Sequence, residues 1–272
     1  MIRGTLAILF LAAASAFAIE SGLYRGKEKP GAGDWVGKWA GAPLTEAGVT
    51  WRMLEEPRTK IAFPRILKMR GSSKLAGVNG VLAARHVSEV AQALDCLAQA
   101  GAESPLGGSY EAKVHVSHVS SRYFSFTLEE DYYCGGAYPD GRSTGVILDL
   151  AESREIDLAD YFSVLGADGK YNPRFYQAAV HAEMAKASAA EREDRKDCAG
   201  QTGDDGVPGY ANFSFALSKT GPIFLTNDFP HAIRVCDLET VIPWSTMRQF
   251  AVQGKPFACP GAANYYRPTD LR

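Results

Sequence analysis

The sequence predicts an α+β fold with a mainly antiparallel sheet in a single compact domain. Segments with the period-two alternation of half-buried strands follow one another closely at 110–134 and at 210–229. Apolar residues at three- and four-residue steps predict helices, which are inserted between the strand groups as blocks. The 272 residues are 46% hydrophobic and 22% charged, an average composition that can fill a large core and excludes a disordered or coiled-coil protein.

The first part of the predicted domain consists of extended segments and one long helix. Residues 49–53 and 60–68 have the composition of strands. Over residues 78–100 the apolar side chains fall on one helical stripe, which only His86 interrupts. Gly101 is expected to end this helix.

Three strands are predicted next, with a glycine-rich loop between the second and the third. The alternation over 110–119 and 121–134 predicts an antiparallel pair. Residues 135–141 break the second strand, residues 144–150 form the third, and residues 151–154 make a turn.

The second part of the domain is predicted to contain two helices, a polar loop and three further strands. In chain order these are helices at 158–165 and 173–192, a surface loop at 193–209, strands at 210–217, 223–229 and 234–242, and a short helix that Ser245 caps.

The N-terminus has the features of a secretory signal peptide. One positive charge, the nine-residue apolar run of residues 6–14 and the small-x-small pattern ending at Ala18 predict cleavage after Ala18. An uncleaved anchor is the alternative, and no later run approaches the ~20 apolar residues of a membrane span. The chain is therefore expected in the periplasm or secreted, with a signal peptide at 1–18, a tether at 19–46, the domain at 47–254 and a tail at 255–272.

Five cysteines follow the signal segment, and in an oxidising compartment they are expected to pair. Their spacing leaves many arrangements open. We favour Cys96–Cys134 and Cys198–Cys236, because each pair would tether a helix end or polar loop to a strand end. Cys259 is then free or pairs outside the domain. A redox-active cysteine is the alternative, but C-x-x-C is absent.

The charge and the motifs argue against several function classes. With 29 Lys+Arg against 31 Asp+Glu, the chain has no general attraction for nucleic acid. Gly107-Gly108 lacks the Lys-Ser/Thr of a phosphate-binding loop, so no cofactor is expected. No metal is expected either, because His115 and His118 on one strand would face opposite sides.

The most informative segment is the turn that begins at Gly135-Gly136. Paired glycines permit positive φ and let another backbone approach closely. Tyrosines lie on both sides of this turn, and tyrosine is enriched where proteins bind partners. A tight hairpin that needs glycine, in a sheet that favours tyrosine, is the alternative explanation.

An acidic run, Glu129-Glu130-Asp131, precedes the turn. Because adjacent strand residues point to opposite faces, only Glu129 and Asp131 share one. They could attract a basic partner or simply form a solvated strand end. The predicted ligand-binding residues are Glu129, Asp131, Tyr133, Gly135, Gly136, Tyr138 and Asp140.

A hydrolase is the alternative to a binding module. His231 follows Asp228-Phe229-Pro230, and it could act with a nearby serine or carboxylate. However, the chain has no G-x-S-x-G nucleophile elbow, so no catalytic residue is assigned.

Four segments together resemble the RsiV-like C-terminal domain family, catalogued as domain of unknown function 3298 (DUF3298). The resemblance spans residues 60–250 and rests on the order and spacing of the four. They are Ile61-Ala62-Phe63-Pro64-Arg65-Ile66 with Val78-Asn79; Tyr133-Cys134-Gly135-Gly136-Ala137-Tyr138-Pro139; Leu148-Asp149-Leu150 with 156–162; and Asn212-Phe213-Ser214-Phe215 with Pro230-His231 and Val241-Ile242-Pro243-Trp244.

The resemblance implies an extracytoplasmic α+β domain without established catalysis. Relatives sense lysozyme within an anti-sigma factor or accompany a peptidoglycan deacetylase domain. The family commonly has His where this chain has Tyr138, so any role of that imidazole does not carry over. The expected function is an exported, non-catalytic binding module of the cell envelope, whose partner is a lysozyme-like protein or a peptidoglycan-related ligand.

Overall fold

The computed structural model describes residues 37–103, 107–203 and 206–258. The strands within these ranges are β1 (Lys38–Glu46), β2 (Val49–Glu55), β3 (Ala62–Lys68), β4 (Ser109–Val119), β5 (Tyr123–Tyr133), β6 (Asp140–Asp149), β7 (Arg154–Glu155), β8 (Phe213–Leu217), β9 (Pro222–Thr226) and β10 (Glu239–Val241). The α-helices are α1 (Leu75–Glu103), α2 (Pro173–Lys186), α3 (Ala189–Asp194) and α4 (Trp244–Met247). Short 3-10 helices include Leu158–Asp160, Lys196–Gln201 and His231–Cys236.

The strands form three sheets in which every pairing is antiparallel, so the predicted α+β class is confirmed. The first sheet has the order β1–β2–β3, the central sheet β4–β5–β6–β7 and the third sheet β10–β9–β8. Among the described residues, no helix combines the length and the apolar character that a bilayer crossing requires.

The central sheet has a hydrophobic core on each face, because successive side chains of a strand point to opposite sides. Phe124 and Phe126 of β5 belong to the core that contains α1 and the first sheet. Tyr123 of β5 and Ile147 of β6 belong to the other core, which contains α2 and the third sheet. The alternation predicted for β5 therefore places side chains in two cores.

Helix α1 buries the predicted stripe, including Val78, Leu82 and Val90. His86, the polar interruption, is also buried: its ring stacks on Phe63, and its Nε2 lies 3.1 Å from the Ile61 carbonyl oxygen. Burial first, and then the charge of Arg65, lowers the pKa of His86 to about 4, so the ring is neutral. His86 is therefore a packed core residue.

The third sheet crosses the central sheet at backbone contact distance. A Cβ atom at Gly145 of β6 would lie 2.2 Å from the Phe215 carbonyl carbon of β8, so this crossing requires glycine. Two serine hydroxyls join the sheets: Ser214 accepts from the Gly145 N–H and Ser125 from the Leu217 N–H, both at 2.8 Å. The crossing brings the end of the third sheet beside the β5–β6 hairpin.

Several predicted elements of the second part differ from the structure. The predicted helix at 173–192 is split, because Ala187 adopts extended φ/ψ and Ser188 caps α3 through a capping box with Glu191. The predicted helix at 158–165 is only the 3-10 turn Leu158–Asp160. Ser245 is not the cap of α4, since that helix begins at Trp244 after Pro243.

The predicted strand at 234–242 is also mostly wrong. Its first half is the 3-10 helix His231–Cys236, and only Glu239–Val241 pairs as β10. The reason is local: Cys236 is bonded to Cys198, and the Asp237 carboxylate accepts from the Asp228 N–H at 2.7 Å. These contacts hold the chain away from the β9 ladder.

The predicted start of the third strand also shifts. β6 begins at Asp140 instead of residue 144, since the ladder with β5 continues to the Tyr132–Asp140 pair. The expected tether contributes β1, which pairs with β2, and Phe257 of the expected tail is buried in the core. The signal peptide with its cleavage site and Cys259 lie outside the described residues, so these expectations stay predictions.

Candidate functional site

Two adjoining clefts lie between the β5–β6 hairpin and the 3-10 helix His231–Cys236, here called the His231 helix. They share Asp131 and Arg234. The tyrosine cleft, of about 300 Å³, is lined by Ser109, Tyr110, Glu111, Asp131, Tyr132, Pro139, Asp140, His231 and Arg234. The acidic cleft, of about 430 Å³, is lined by Glu129, Glu130, Asp131, Arg142, Ser143, Arg195, Thr226, Asn227, Arg234, Asp237, Leu238 and Glu239.

Each wall of the clefts ends at a disulfide bond. Cys134, at the end of β5, is bonded to Cys96 of α1, with Cα atoms 4.7 Å apart. Cys236, at the end of the His231 helix, is bonded to Cys198, with Cα atoms 5.4 Å apart. Both predicted pairings are present, and together they hold the two walls to the rest of the fold.

An exposed aromatic pair forms the rim of the tyrosine cleft. The Tyr138 and His231 rings stack with centroids 6.3 Å apart and planes 9° apart, and Tyr138 is 74% exposed. A large, rigid ring held in the open can bury much area against a partner at little cost in conformational entropy.

Asp140 and Arg234 join the two walls beneath this rim. The Arg234 guanidinium donates to the Asp140 carboxylate and to the Gly141 carbonyl oxygen. Burial acts to raise the pKa of Asp140, but hydrogen bonds from Arg234 and from the Gly141 N–H, with the Arg234 charge, hold it below the ordinary 3.8. Gly141 is required here, because a Cβ atom would lie 2.3 Å from the Glu130 carbonyl oxygen. Asp140 is thus a charged residue whose bond to Arg234 joins the two walls of the cleft.

The exposed face of β4 and β5 carries more carboxylates than cations. We call Glu111, Glu129, Asp131 and Glu239 the acidic face. Asp131 lies directly opposite Glu111 across the two strands, and Glu129 opposite Lys113. Lys113 bonds Glu111 at 3.0 Å, and the His115 ring lies 3.6 Å from Glu129. Within the part of the chain that the structure describes, Asp131 and Glu239 form no ion pair.

Glu239 brings a further carboxylate to this face from the third sheet. Burial raises its pKa foremost, and the charges of Glu129 and Glu183 raise it further. The carboxylates of the acidic face together outnumber the cations beside them and give the cleft a surplus of negative charge at its open side. This charge disfavours an anionic ligand and favours a cationic one.

A buried acid pair lies on the opposite face of the same strands. Glu89 of α1 and Glu130 of β5 are 4% and 2% exposed, and both contact the Tyr110 hydroxyl, at 2.6 and 2.5 Å. Arg142 donates to both oxygens of Glu130, at 2.6 and 2.7 Å, and also to the Gln92 side chain.

Burial changes the titration of Glu89 and of the Tyr110 hydroxyl. Burial foremost, and the charge of Glu130, raises the pKa of Glu89 from 4.5 to about 7. Burial and the two carboxylates raise the pKa of the Tyr110 hydroxyl as well. Sequence reasoning missed this pair, although Glu130 continues the alternation of Phe124, Phe126 and Leu128 and so belongs on the inward face.

Another buried carboxylate lies just before the His231 helix. Asp228 accepts from the Tyr171 hydroxyl at 2.8 Å and from the Asn212 N–H at 2.7 Å. Burial foremost raises its pKa to about 6. Because both carboxylate oxygens are bonded inside the fold, Asp228 holds the segment that leads into the His231 helix.

The structure brings together most of the predicted ligand-binding residues. Glu129, Asp131 and Asp140 line the clefts and Tyr138 forms the rim. Tyr133 lines neither cleft and ends the β5 ladder opposite Ser109. Gly135 has φ 93°, which requires glycine, whereas a Cβ atom at Gly136 would meet nothing within 4 Å. Tyr133 and the two glycines therefore shape the turn.

The contacts at His231 do not assemble a hydrolase relay. Its Nδ1 lies 4.0 Å from the Asp140 Oδ1, beyond hydrogen-bond distance, and Asp140 is already bonded to Arg234. Ser109 lines the same cleft, but no described contact joins its hydroxyl to His231. His115 is exposed and His118 is buried, but the expectation that they face opposite sides is wrong. A β-bulge between Val116 and His118 pairs His115 with Thr127 and His118 with Ser125, which lie on one face of β5.

Comparison with known proteins finds structural neighbours only. No family profile matches the chain, and no curated protein matches it. It is similar to the crystal structure of a DUF3298 family member from Bacteroides fragilis NCTC 9343, with 15% identity and a TM-score of 0.45, over 80% of this chain and 94% of that one. It is also similar to a DUF3298 family protein from Pseudomonas aeruginosa PAO1, with 15% identity and a TM-score of 0.40, over 57% of this chain and 66% of that one. Both structures belong to the family that the sequence motifs resemble.

Proposed function

We propose that this protein is an exported binding module of the cell envelope that captures a basic protein partner on the acidic face and the tyrosine cleft. The observation that carries the proposal is the surplus of carboxylates at an open cleft. Asp131 faces Glu111 across the strands and has no ion-pair partner among the described residues. Like charges placed directly opposite destabilise a sheet, so a bound cationic partner would reduce the repulsion between Asp131 and Glu111.

The aromatic rim gives such a partner something to pack against. Tyr138 is 74% exposed and lies at the mouth of the cleft whose floor is charged. Interfaces commonly combine a few rigid aromatic anchors, which supply affinity, with surrounding charges, which steer the encounter. An anionic glycan strand would meet the carboxylates unfavourably, so we place a basic protein ahead of a peptidoglycan-related ligand.

The two disulfides are compatible with an oxidising compartment, which supports the predicted export. The family resemblance supplies the partner class to test first, since relatives sense lysozyme and lysozyme is basic. The proposed partner is therefore a lysozyme-like protein.

The test is a titration of the full chain with lysozyme by calorimetry, at about 50 mM and about 300 mM salt. We expect binding at low salt that weakens steeply at high salt, because exposed charges beyond a Debye length are screened. A double variant, Glu129→Gln with Asp131→Asn, should weaken binding about fivefold or more at low salt.

The matched control is Glu152→Gln, which removes one exposed carboxylate beyond the other end of β6. It should bind as the wild type does. Salt-independent binding, or equal losses in the control and the double variant, would contradict the proposed surface. Binding of purified glycan strands with no binding of lysozyme would replace the basic protein by the other ligand class.

A further inference from the structure

In the buried acid pair beneath the tyrosine cleft, one hydroxyl proton is not enough to make hydrogen bonds to two ionised carboxylates. The Tyr110 hydroxyl contacts Glu89 and Glu130 at hydrogen-bond distance, yet it carries one proton and can donate to only one of them. The other short contact needs a proton on the carboxyl group. The hydrogen-bond geometry therefore requires one proton bound to the pair.

Among the described residues, Arg142 is the cation that bonds this pair, and its position decides which carboxyl holds that proton. Arg142 donates to both oxygens of Glu130, so Glu130 is the ionised member. The titratable and charged groups that face Glu89 of α1 are Tyr110 on β4, Glu130 on β5 and Arg142 on β6. The arrangement is a chain in which Glu89 donates to Tyr110 and Tyr110 donates to Glu130.

The acid pair shares residues with the clefts. Tyr110 lines the tyrosine cleft, where its ring stacks on Tyr132 at 5.8 Å, and Glu130 and Arg142 line the acidic cleft. Asp131 of the acidic face directly follows Glu130. Any movement of Tyr110 or Glu130 therefore changes the surface that a partner would meet.

We propose that Glu89 and Glu130 form a buried proton-binding site that regulates the clefts, with tighter partner binding when the proton is present. Loss of the proton to solvent would leave two carboxylates competing for one hydroxyl proton and one guanidinium. One carboxylate must then leave Tyr110, because two buried anions at this distance repel. Tyr110 would lose its anchor to α1 and the cleft floor would loosen.

The proton site is tested without any partner. Carbon-13 NMR of the Glu89 carboxyl in the full chain should show titration near neutral pH, well above the ordinary range of glutamate. Titration of Glu89 in the ordinary range would overturn the proposal. This measurement uses the wild type, so it does not depend on a variant that folds.

The regulation rests on the proposed function and is tested with lysozyme at about pH 6 and about pH 8 in the wild type and in Glu89→Gln. Glutamine imitates the protonated carboxyl, so the variant should keep the affinity at low pH. We expect wild-type binding to weaken about fivefold more than the variant over this range, at the lower end of usual coupling between sites. Any other group, in this chain or in lysozyme, is common to both comparisons and cancels.

Each outcome separates the two proposals. Identical pH dependence in the wild type and Glu89→Gln would overturn the regulation while leaving the binding surface intact. Absence of lysozyme binding at both pH values would overturn the partner and, with it, this coupling, whereas the NMR titration would still decide the proton site.

Discussion

Glu130 and its chain neighbours, Glu129 and Asp131, are chemically alike and lie one residue apart on β5, yet their surroundings are opposite. Glu130 is 2% exposed and has Tyr110 and Arg142 as partners, whereas Asp131 is exposed and faces Glu111. The alternation of a strand divides one acidic run between an interior that must pair every charge and a surface that can leave charge unpaired. The same residue type is thus a buried, paired group on one face of the strand and an exposed charge on the other.

The largest expected effect concerns the buried Glu130, and the variant that produces it is Arg142→Ala. This variant leaves the Glu130 carboxylate buried without its cation, and we expect a loss of about 2–4 kcal/mol in the free energy of unfolding, measured by urea titration. The value lies below that of fully buried pairs because the Arg142 side chain is 39% exposed.

The matched change on the outer face is Lys113→Ala. Lys113 and its partner Glu111 are both more than half exposed, so the free energy of unfolding should remain nearly unchanged. Equal losses in Arg142→Ala and Lys113→Ala would mean that the two faces do not differ as described.

The pH dependence of stability sharpens the comparison further. The folded-state pKa of Glu89 is raised above its ordinary 4.5, so the folded chain binds more protons than the unfolded chain between pH 4.5 and about 7. The stabilisation from this group is therefore complete below that window, falls as the pH rises through it and is lost above it. We expect urea titrations to show the wild type losing about 1–3 kcal/mol across the window relative to Glu89→Gln.

Asp228, whose pKa is also raised, contributes a loss of the same sign in both proteins and cancels in the difference. A difference between wild type and Glu89→Gln that grows as the pH falls would contradict the assignment of the proton to Glu89.

The smallest expected effect separates stability from binding on the outer face. Asp131→Asn removes the carboxylate opposite Glu111, so it should raise the free energy of unfolding by about 0.2–1 kcal/mol while weakening lysozyme binding. Thermal unfolding and calorimetry on one preparation measure both. If Asp131→Asn destabilised the fold, Asp131 would be a structural residue and not part of a binding face.

The sequence allowed the fold class, the helix stripe, β4 and β5 to be predicted, because each has a local pattern. The two disulfide pairs were chosen from many open arrangements, because each would tether a helix end or polar loop to a strand end. β1 was not predicted, and its residues were assigned to the tether, since its side chains are mostly exposed and carry no alternation. The His231 helix was mistaken for a strand because the forces that shape it, the bond to Cys198 and the contacts of Asp237, come from distant residues.

The candidate site was predicted in part for the same reason. Glu129, Asp131, Tyr138 and Asp140 lie near one another in sequence, so one hairpin brings them together. Glu89 lies on α1 and meets Glu130 of β5 and Tyr110 of β4, a contact between three elements that no local pattern records. The inward position of Glu130 was readable from the alternation, but its partners were not.

The backbone crossing at Gly145 has a consequence for evolution of affinity. One wall of the clefts belongs to the central sheet and the other follows the third sheet, so the gap between them is set where β8 passes over β6. Even a single methyl group added at position 145 would force β6 and β8 apart. The proposed binding surface is therefore sensitive to substitutions in the interior, at positions that no partner would contact.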